Sequence, residues 1–250
     1  MIIINADDWG RSKRETDIPL ECYRRGRITS ITAMIFMADS QRAAEIALDE
    51  KIPTGLHLNF IEPFSGDVFC SGLVERQRAI IGFLKRSRFN QLLYNPLLTR
   101  AFEYVFRAQL DEFWRLYGQA PTHFDGHKHM HLCANMLISR PIPRGAKVRR
   151  TFFFDPDEKG FVNRSYRTLI NFSLARRYRL TDYFFALSQQ LSAERFARVC
   201  RLASQADVEL MTHPAVPAEA AFLKGREYEE RLEALAKGTY VELRGSDDAV

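Results

Sequence analysis

The sequence predicts an α/β fold in which parallel strands close, or nearly close, into a barrel. Three observations carry this. Short apolar runs alternate with helical stretches about seven times along 250 residues, and such alternation requires parallel strands joined by crossovers. No Pro/Gly/Ser-rich linker, composition break, low-complexity segment or internal repeat divides the chain, so a single domain over 1–250 is expected. Five of the six histidines fall where a predicted strand ends, the place where a barrel carries its functional groups. An open doubly wound sheet is the alternative; its dinucleotide-binding version is weakened because no G-x-G-x-x-G follows any strand.

The elements follow in order. Ile2–Ile4 is β-branched and reads as the first strand. Residues 13–25 have helical character and stop at Gly26. Ile28–Phe36 is the second strand. Asp39 or Ser40 can cap the helix QRAAEIALDE. TGLHLNF (54–60) is the third strand. Residues 61–98 are mixed and read as an insertion or long loop with helical pieces. In TRAFEYVFRAQLDEFWRLYG, Phe102, Val105, Phe106, Leu110, Phe113, Trp114 and Tyr117 recur at helical spacing and Gly118 ends the run, so this is an amphipathic core helix. THFD (122–125), KVRRTF (147–152), DYFFAL (182–187) and DVELM (207–211) are the later strands. Helices are expected at 163–178, 192–205 and 226–237, and a flexible tail at 239–250.

Bulk properties narrow the class. With 46% hydrophobic and 27% charged residues the chain is an ordinary globular protein able to bury a sizeable core. No run approaches the roughly 18–20 apolar residues that span a bilayer. The opening MIIINADD has no basic n-region and only a short apolar run, so the cytoplasm is the expected location. Cys22, Cys70, Cys133 and Cys200 are scattered and form no C-x-x-C pair; they are expected to be reduced core thiols. The net charge is +5, with basic clusters at Arg140, Arg144, Lys147, Arg149 and Arg150 and at Arg164, Arg167, Arg176, Arg177 and Arg179. These suit solvated faces or an anionic partner. No zinc-finger spacing or aromatic RNA-binding motif accompanies them, so no nucleic-acid partner is expected.

The strand ends hold the candidate chemistry. Asp7 and Asp8 follow the first strand, and two adjacent carboxylates repel until a proton or cation relieves them. His57 ends the third strand. Asp125, His127, His129 and His131 follow the fourth, in THFDGHKHMH. His213 follows the last, in MTHP. His123, within its strand, is read as structural. If residues 125–131 were extended, the four groups would line one face about 6–7 Å apart, too far for all to hold one ion. If they turned into a helix, His127 and His131 would still share a face. One or two can be ligands, and the others can orient ligands or touch substrate. A carboxylate with two imidazoles suits zinc, cobalt, manganese or nickel; magnesium is less usual with imidazole but stays in the set. Three protein ligands leave positions for water and substrate, a spare Asp can serve as base and a spare His as acid.

NADDWG after an N-terminal strand, RGRITSITAM, GLHLNF, APTHFDGHKHMH after a long helix, and a late MTHP occur in this order. Together they resemble the YdjC-like carbohydrate deacetylase family, which includes chitooligosaccharide deacetylases. The similarity covers most of residues 1–214 and is weak across 61–98 and after about 217. It implies a distorted or incomplete TIM-like (β/α) barrel, here with about seven parallel strands, and removal of an N-acetyl group from an amino sugar. It also implies one divalent metal ion held by Asp8, His57 and His127, with Asp7 as general base and His213 as general acid. Asp125, His129, His131 and Arg149 are candidates for orienting ligands or binding substrate. Trp9 replaces the usual Phe of NADDFG, and Gly126 the usual small polar residue before His127. The implied partner is an N-acetylated sugar, with no transmembrane segment, and a homodimer is allowed. Two other readings keep the metal site: hydrolysis of a phosphorylated or lipid-linked sugar, and a non-catalytic metal- or sugar-binding protein.

Overall fold

The computed structural model describes residues 1–68, 70–154 and 158–243. Its elements are β1 (Ile2–Trp9), α1 (Lys13–Arg24), β2 (Ser30–Ala33), α2 (Ser40–Asp49), β3 (Thr54–Leu58), α3 (Ser71–Arg86), α4 (Thr99–Tyr117), β4 (Phe124–Gly126), α5 (Ala134–Ser139), α6 (Phe161–Ala175), β5 (Tyr183–Ala186), α7 (Ala193–Ala203), β6 (Val208–Thr212), α8 (Pro217–Leu223), α9 (Arg226–Glu233) and β7 (Lys237–Gly238). The sheet order is β4-β3-β2-β1-β6-β5, with β7 beside the start of β1. The β1–β6, β5–β6, β3–β4 and β1–β7 ladders are parallel. This is the α/β pattern of a distorted TIM-like barrel. Strands β1, β2, β3 and β6 are buried along their whole length. Burial on both faces allows consecutive apolar residues, as in the three isoleucines that open β1.

Close contacts divide the chain into two compact units. The first comprises 1–6, 18–31 and 144–250; the second comprises 7–17 and 32–143. In the second unit, α4 buries Phe102, Val105, Phe106, Phe113 and Tyr117. It ends at Gly118 in a left-handed conformation (φ 64°), the usual glycine stop. Two positions depart from the predicted stripe. Trp114 is exposed, while polar Gln109 is buried because its side-chain oxygen accepts the Asn59 backbone N–H at 2.7 Å. Residues 61–98 include the helix α3. Asp39 makes no capping bond at α2 and instead pairs with Arg42 at 2.6 Å. Ser40 Oγ accepts from the Met37 N–H and donates to the Met34 carbonyl. Cys70 is exposed rather than a core thiol.

In the first unit, the predicted strand at 147–152 reduces to one isolated bridge between Lys147 and Arg179. The ladder stops because the Thr151 N–H donates to the Asn171 side chain at 3.0 Å, not to a neighbouring strand. The chain end contributes β7, a strand the sequence pattern did not mark. After it Tyr240 and Leu243 are buried with Ile3; the predicted tail is therefore packed at 239–243, and 244–250 lie outside the described residues. Helix α6 differs from the others: only Leu174 is buried on it, and Phe161, Val162, Leu169 and Phe172 are exposed. Among the described residues no helix is long and apolar enough to cross a membrane.

Candidate metal centre

The second unit gathers Asp7, Asp8, His57, Asp125 and His127. Register explains the first pairing. His57 on β3 lies opposite Asp125 on β4, and His57 Nδ1 approaches Asp125 Oδ1 at 2.8 Å. Backbone conformation explains the second. Adjacent residues of a regular strand point to opposite faces, yet both Asp7 and Asp8 reach His57: Asp7 Oδ2 lies 4.0 Å from Nδ1 and Asp8 Oδ1 lies 3.3 Å from Nε2. Asp8 is left-handed (φ 66°), which breaks the alternation; Asp is among the few residues that tolerate this conformation.

The run after β4 adopts neither predicted geometry. His127–Leu132 forms a 3₁₀-type segment interrupted by Lys128 (φ 51°) and His129 (φ 59°). Gly126 permits this fold-back: a Cβ there would lie 2.9 Å from the His131 backbone nitrogen. The run is thereby split. His127 Nδ1 donates to Asp8 Oδ1 at 2.9 Å. His131 is buried near Gly126, and half-buried His129 has its ring centroid 6.3 Å from that of His131. His123 packs into the space left by Gly55, where a Cβ would lie 2.5 Å from its ring.

Electrostatics tighten the cluster. Burial raises the Asp8 carboxyl, but hydrogen bonds and charge from His127 and His57 outweigh it and hold the group far below the usual carboxylate range. Burial likewise disfavours a charged His57, but Asp125 and Asp7 beside it push its pKa up to about 10.

Three residues not singled out from the sequence complete the surroundings. Thr32 Oγ1 lies between Asp7 Oδ1 (3.3 Å) and Asp125 Oδ2 (3.1 Å). Glu62 Oε2 lies 3.1 Å from His127 Nε2. Arg11 bridges Glu62 (3.0 Å) and Asp8 (3.4 Å). One local signal precedes Glu62: Asn59 accepts the N–H groups of Ile61 and Glu62, an Asx turn that aims the loop.

These residues fit a divalent cation. Ligand atoms of Asp8, His57 and His127 all lie within 4.8 Å of one another, and all three residues are buried. A carboxylate with two imidazoles is a common donor set for a catalytic ion. The Asp125 contact fixes the other nitrogen of His57, as carboxylates do behind metal-bound imidazoles. Asp7, His57 and Asp125 form a second group meeting the same distance limit.

The remaining candidates belong to the first unit. His213 follows β6 and is about one-third exposed (32%). Buried Glu219 accepts its backbone N–H at 2.7 Å and also the Thr212 hydroxyl at 2.8 Å, and lies 3.8 Å from His213 Nδ1. Arg149 is fully buried, with Nε and Nη2 at 2.8 and 2.7 Å from Glu209 Oε1. The Tyr240 hydroxyl donates to Glu209 Oε2.

A carbohydrate deacetylase of Homo sapiens is 29% identical over 86% of this chain and 75% of its own length. A chitooligosaccharide deacetylase of Yersinia enterocolitica is 26% identical over 86% of this chain and 81% of its own. A carbohydrate deacetylase of Danio rerio is 29% identical over 52% of this chain, and that alignment spans 42% of the relative. A crystal structure of an Enterococcus faecalis protein, named as a candidate cellobiose-phosphate cleavage protein, superposes with a TM-score of 0.69 at 19% identity, covering 96% of this chain and 97% of that one. The family model described as YdjC-like protein matches residues 1–244. The chain belongs to the YdjC-like protein family.

Proposed function

We propose that this protein is a metal-dependent carbohydrate deacetylase, a hydrolase that cleaves the N-acetyl group from an amino sugar or an N-acetylated oligosaccharide or glycoconjugate. The observation that carries the reading is the convergence of buried Asp8, His57 and His127 with a further carboxylate, Asp7, beside them. The names of the human and Yersinia relatives support the same bond and substrate class.

Asp8, His57 and His127 would hold the ion, a donor set suited to zinc, cobalt, manganese or nickel, with magnesium also in the set. A bound divalent ion supplies Lewis acidity, lowering the pKa of water and polarising an amide carbonyl. Asp7 takes the proton of the attacking water. The Thr32 hydroxyl, within reach of both Asp7 and Asp125, holds the base in place. Asp125 fixes the His57 ring. The donor role of His213 towards the leaving amine rests on the family motif MTHP, and Glu219 steadies that histidine's backbone.

Acetate release measured over N-acetylated mono-, oligo- and lipid-linked sugars, with and without chelator, tests the reading. Chelator-sensitive acetate release is expected. Phosphate release instead of acetate would move the protein to the phosphorylated-sugar reading. A bound ion with no turnover on any of the sugars would make it a binding protein.

A further inference from the structure

The first unit holds a cavity of about 740 Å³ whose wall includes Arg144, Arg150, Arg176, Arg177 and Arg179. Two carboxylates, Asp182 and Asp207, share the wall, so arginine outnumbers carboxylate there five to two. Asp182 accepts the Asp207 backbone N–H at 2.9 Å, and Asp207 lies 3.5 Å from the N-terminal ammonium. Among the described residues no carboxylate comes within ion-pair distance of Arg144, Arg150, Arg176 or Arg179. Arg150 donates Nη1 to the Thr181 carbonyl at 2.9 Å, but its Nε is buried without a hydrogen-bond partner. Burial lowers the pKa of this guanidinium by more than the nearby charge of Asp182 raises it, so its desolvation is not fully offset.

The surroundings are equally one-sided. From Phe161 to Thr181 the chain contains five arginines and no Asp or Glu. Phe172 lines the cavity with the Arg176 guanidinium 5.3 Å from its ring centre. Phe161, Val162 and Leu169, on the same helix, are exposed. At helical spacing, positions 162, 169 and 172 fall on one face. Planar guanidinium forks match phosphate oxygens in geometry as well as charge. We infer that this arginine-walled cavity is a binding site for a phosphomonoester or phosphodiester anion. Its source is either a soluble phosphorylated molecule or the head group of an anionic lipid whose tails meet the exposed face of α6. The site is independent of the deacetylase reading.

The test uses the full chain and an R144A/R176A variant, both changed residues being exposed. Inorganic phosphate is titrated calorimetrically at constant ionic strength. Co-sedimentation is measured with vesicles of pure phosphatidylcholine and with vesicles carrying phosphatidylglycerol. Each arginine removed is expected to weaken vesicle binding about fivefold, or roughly 25-fold for the pair. Phosphate binding with no vesicle binding assigns the site to a soluble ligand. Binding to phosphatidylglycerol vesicles, competed by phosphate and weakened in the variant, assigns it to a lipid head group. R150M, with its melting temperature recorded beside that of the parent, reports on the buried guanidinium. Absence of both phosphate and vesicle binding overturns the site. So does binding that the R144A/R176A variant retains in full.

Discussion

Two groups of buried charge among the described residues are built in opposite ways. The Arg149–Glu209–Tyr240 group of the first unit is closed. One carboxylate oxygen takes two guanidinium nitrogens and the other takes a phenol. A buried guanidinium faces a buried carboxylate, the arrangement of a structural ion pair. The Asp7–Asp8–His57–Asp125–His127 group of the second unit is open. It holds three carboxylates against two imidazoles and is maintained by a left-handed Asp8 and two left-handed residues after His127. Strain and unbalanced charge persist only where the surrounding structure enforces them, and they concentrate at functional sites. A closed pair contributes to the fold; an open cluster has room for a cation.

Removing one member of each group separates their roles. Asp8→Ala or His127→Ala is expected to abolish metal binding and acetate release together, read by metal analysis and by assay. Asp7→Asn is expected to retain the ion and lose about 10²–10⁴ in turnover; wild-type turnover in that variant would remove Asp7 from the base role. Arg149→Ala should do the reverse. It removes the guanidinium that faces buried Glu209 and is expected to destabilise the fold by about 3–5 kcal/mol in urea denaturation. Metal stoichiometry of the folded fraction should stay unchanged.

That contrast also marks what the sequence could reveal. Strand ends were legible because buried parallel strands are short apolar runs, and Asp8, His57 and His127 each sit just inside or after one. Arg149 reads as a site candidate from its basic neighbourhood, but its partner Glu209 is 60 residues away, and no local pattern announces such a pair. Thr32, Glu62 and Arg11 escape for the same reason: each is an ordinary residue type that becomes part of the site through register or a turn. The 147–152 segment has the composition of a strand, yet a side-chain amide from α6 takes one of its N–H groups. The row of histidines at two-residue intervals is legible as a cluster, but its shape is not. Gly126 and two left-handed residues fold it back, and His127 reaches Asp8.

A smaller effect sharpens the role of the residue behind the ligand. Asp125→Asn removes the charge facing His57 while keeping the side-chain size. It is expected to weaken metal affinity about 10–100-fold, measured by competition with a chelating dye, without abolishing binding. The same pairing sets a pH dependence. The pKa of His57 is raised to about 10 in the metal-free protein, against about 6.5 when unfolded. Its stabilising contribution is therefore complete below about pH 6.5 and lost as pH rises through about 10. Metal-free protein should lose stability across that window, and metal loading near pH 8 should release a proton, read by calorimetry in buffers of different ionisation enthalpy. Asp125→Asn should shrink both signals.

The smallest effect concerns the turn itself. Lys128 is exposed and left-handed, a conformation that costs a non-glycine residue about 1–2 kcal/mol. Lys128→Gly removes that cost but gives the unfolded chain more freedom to lose on folding. The net change in stability should therefore be under about 1 kcal/mol and favourable. If the turn only connects elements, metal affinity and turnover should stay at the parent level. If its rigidity is what holds His127 against Asp8, the variant should be more stable yet bind metal more weakly. Measuring denaturation and metal affinity on the same preparation separates the two, because a connecting turn cannot move them in opposite directions.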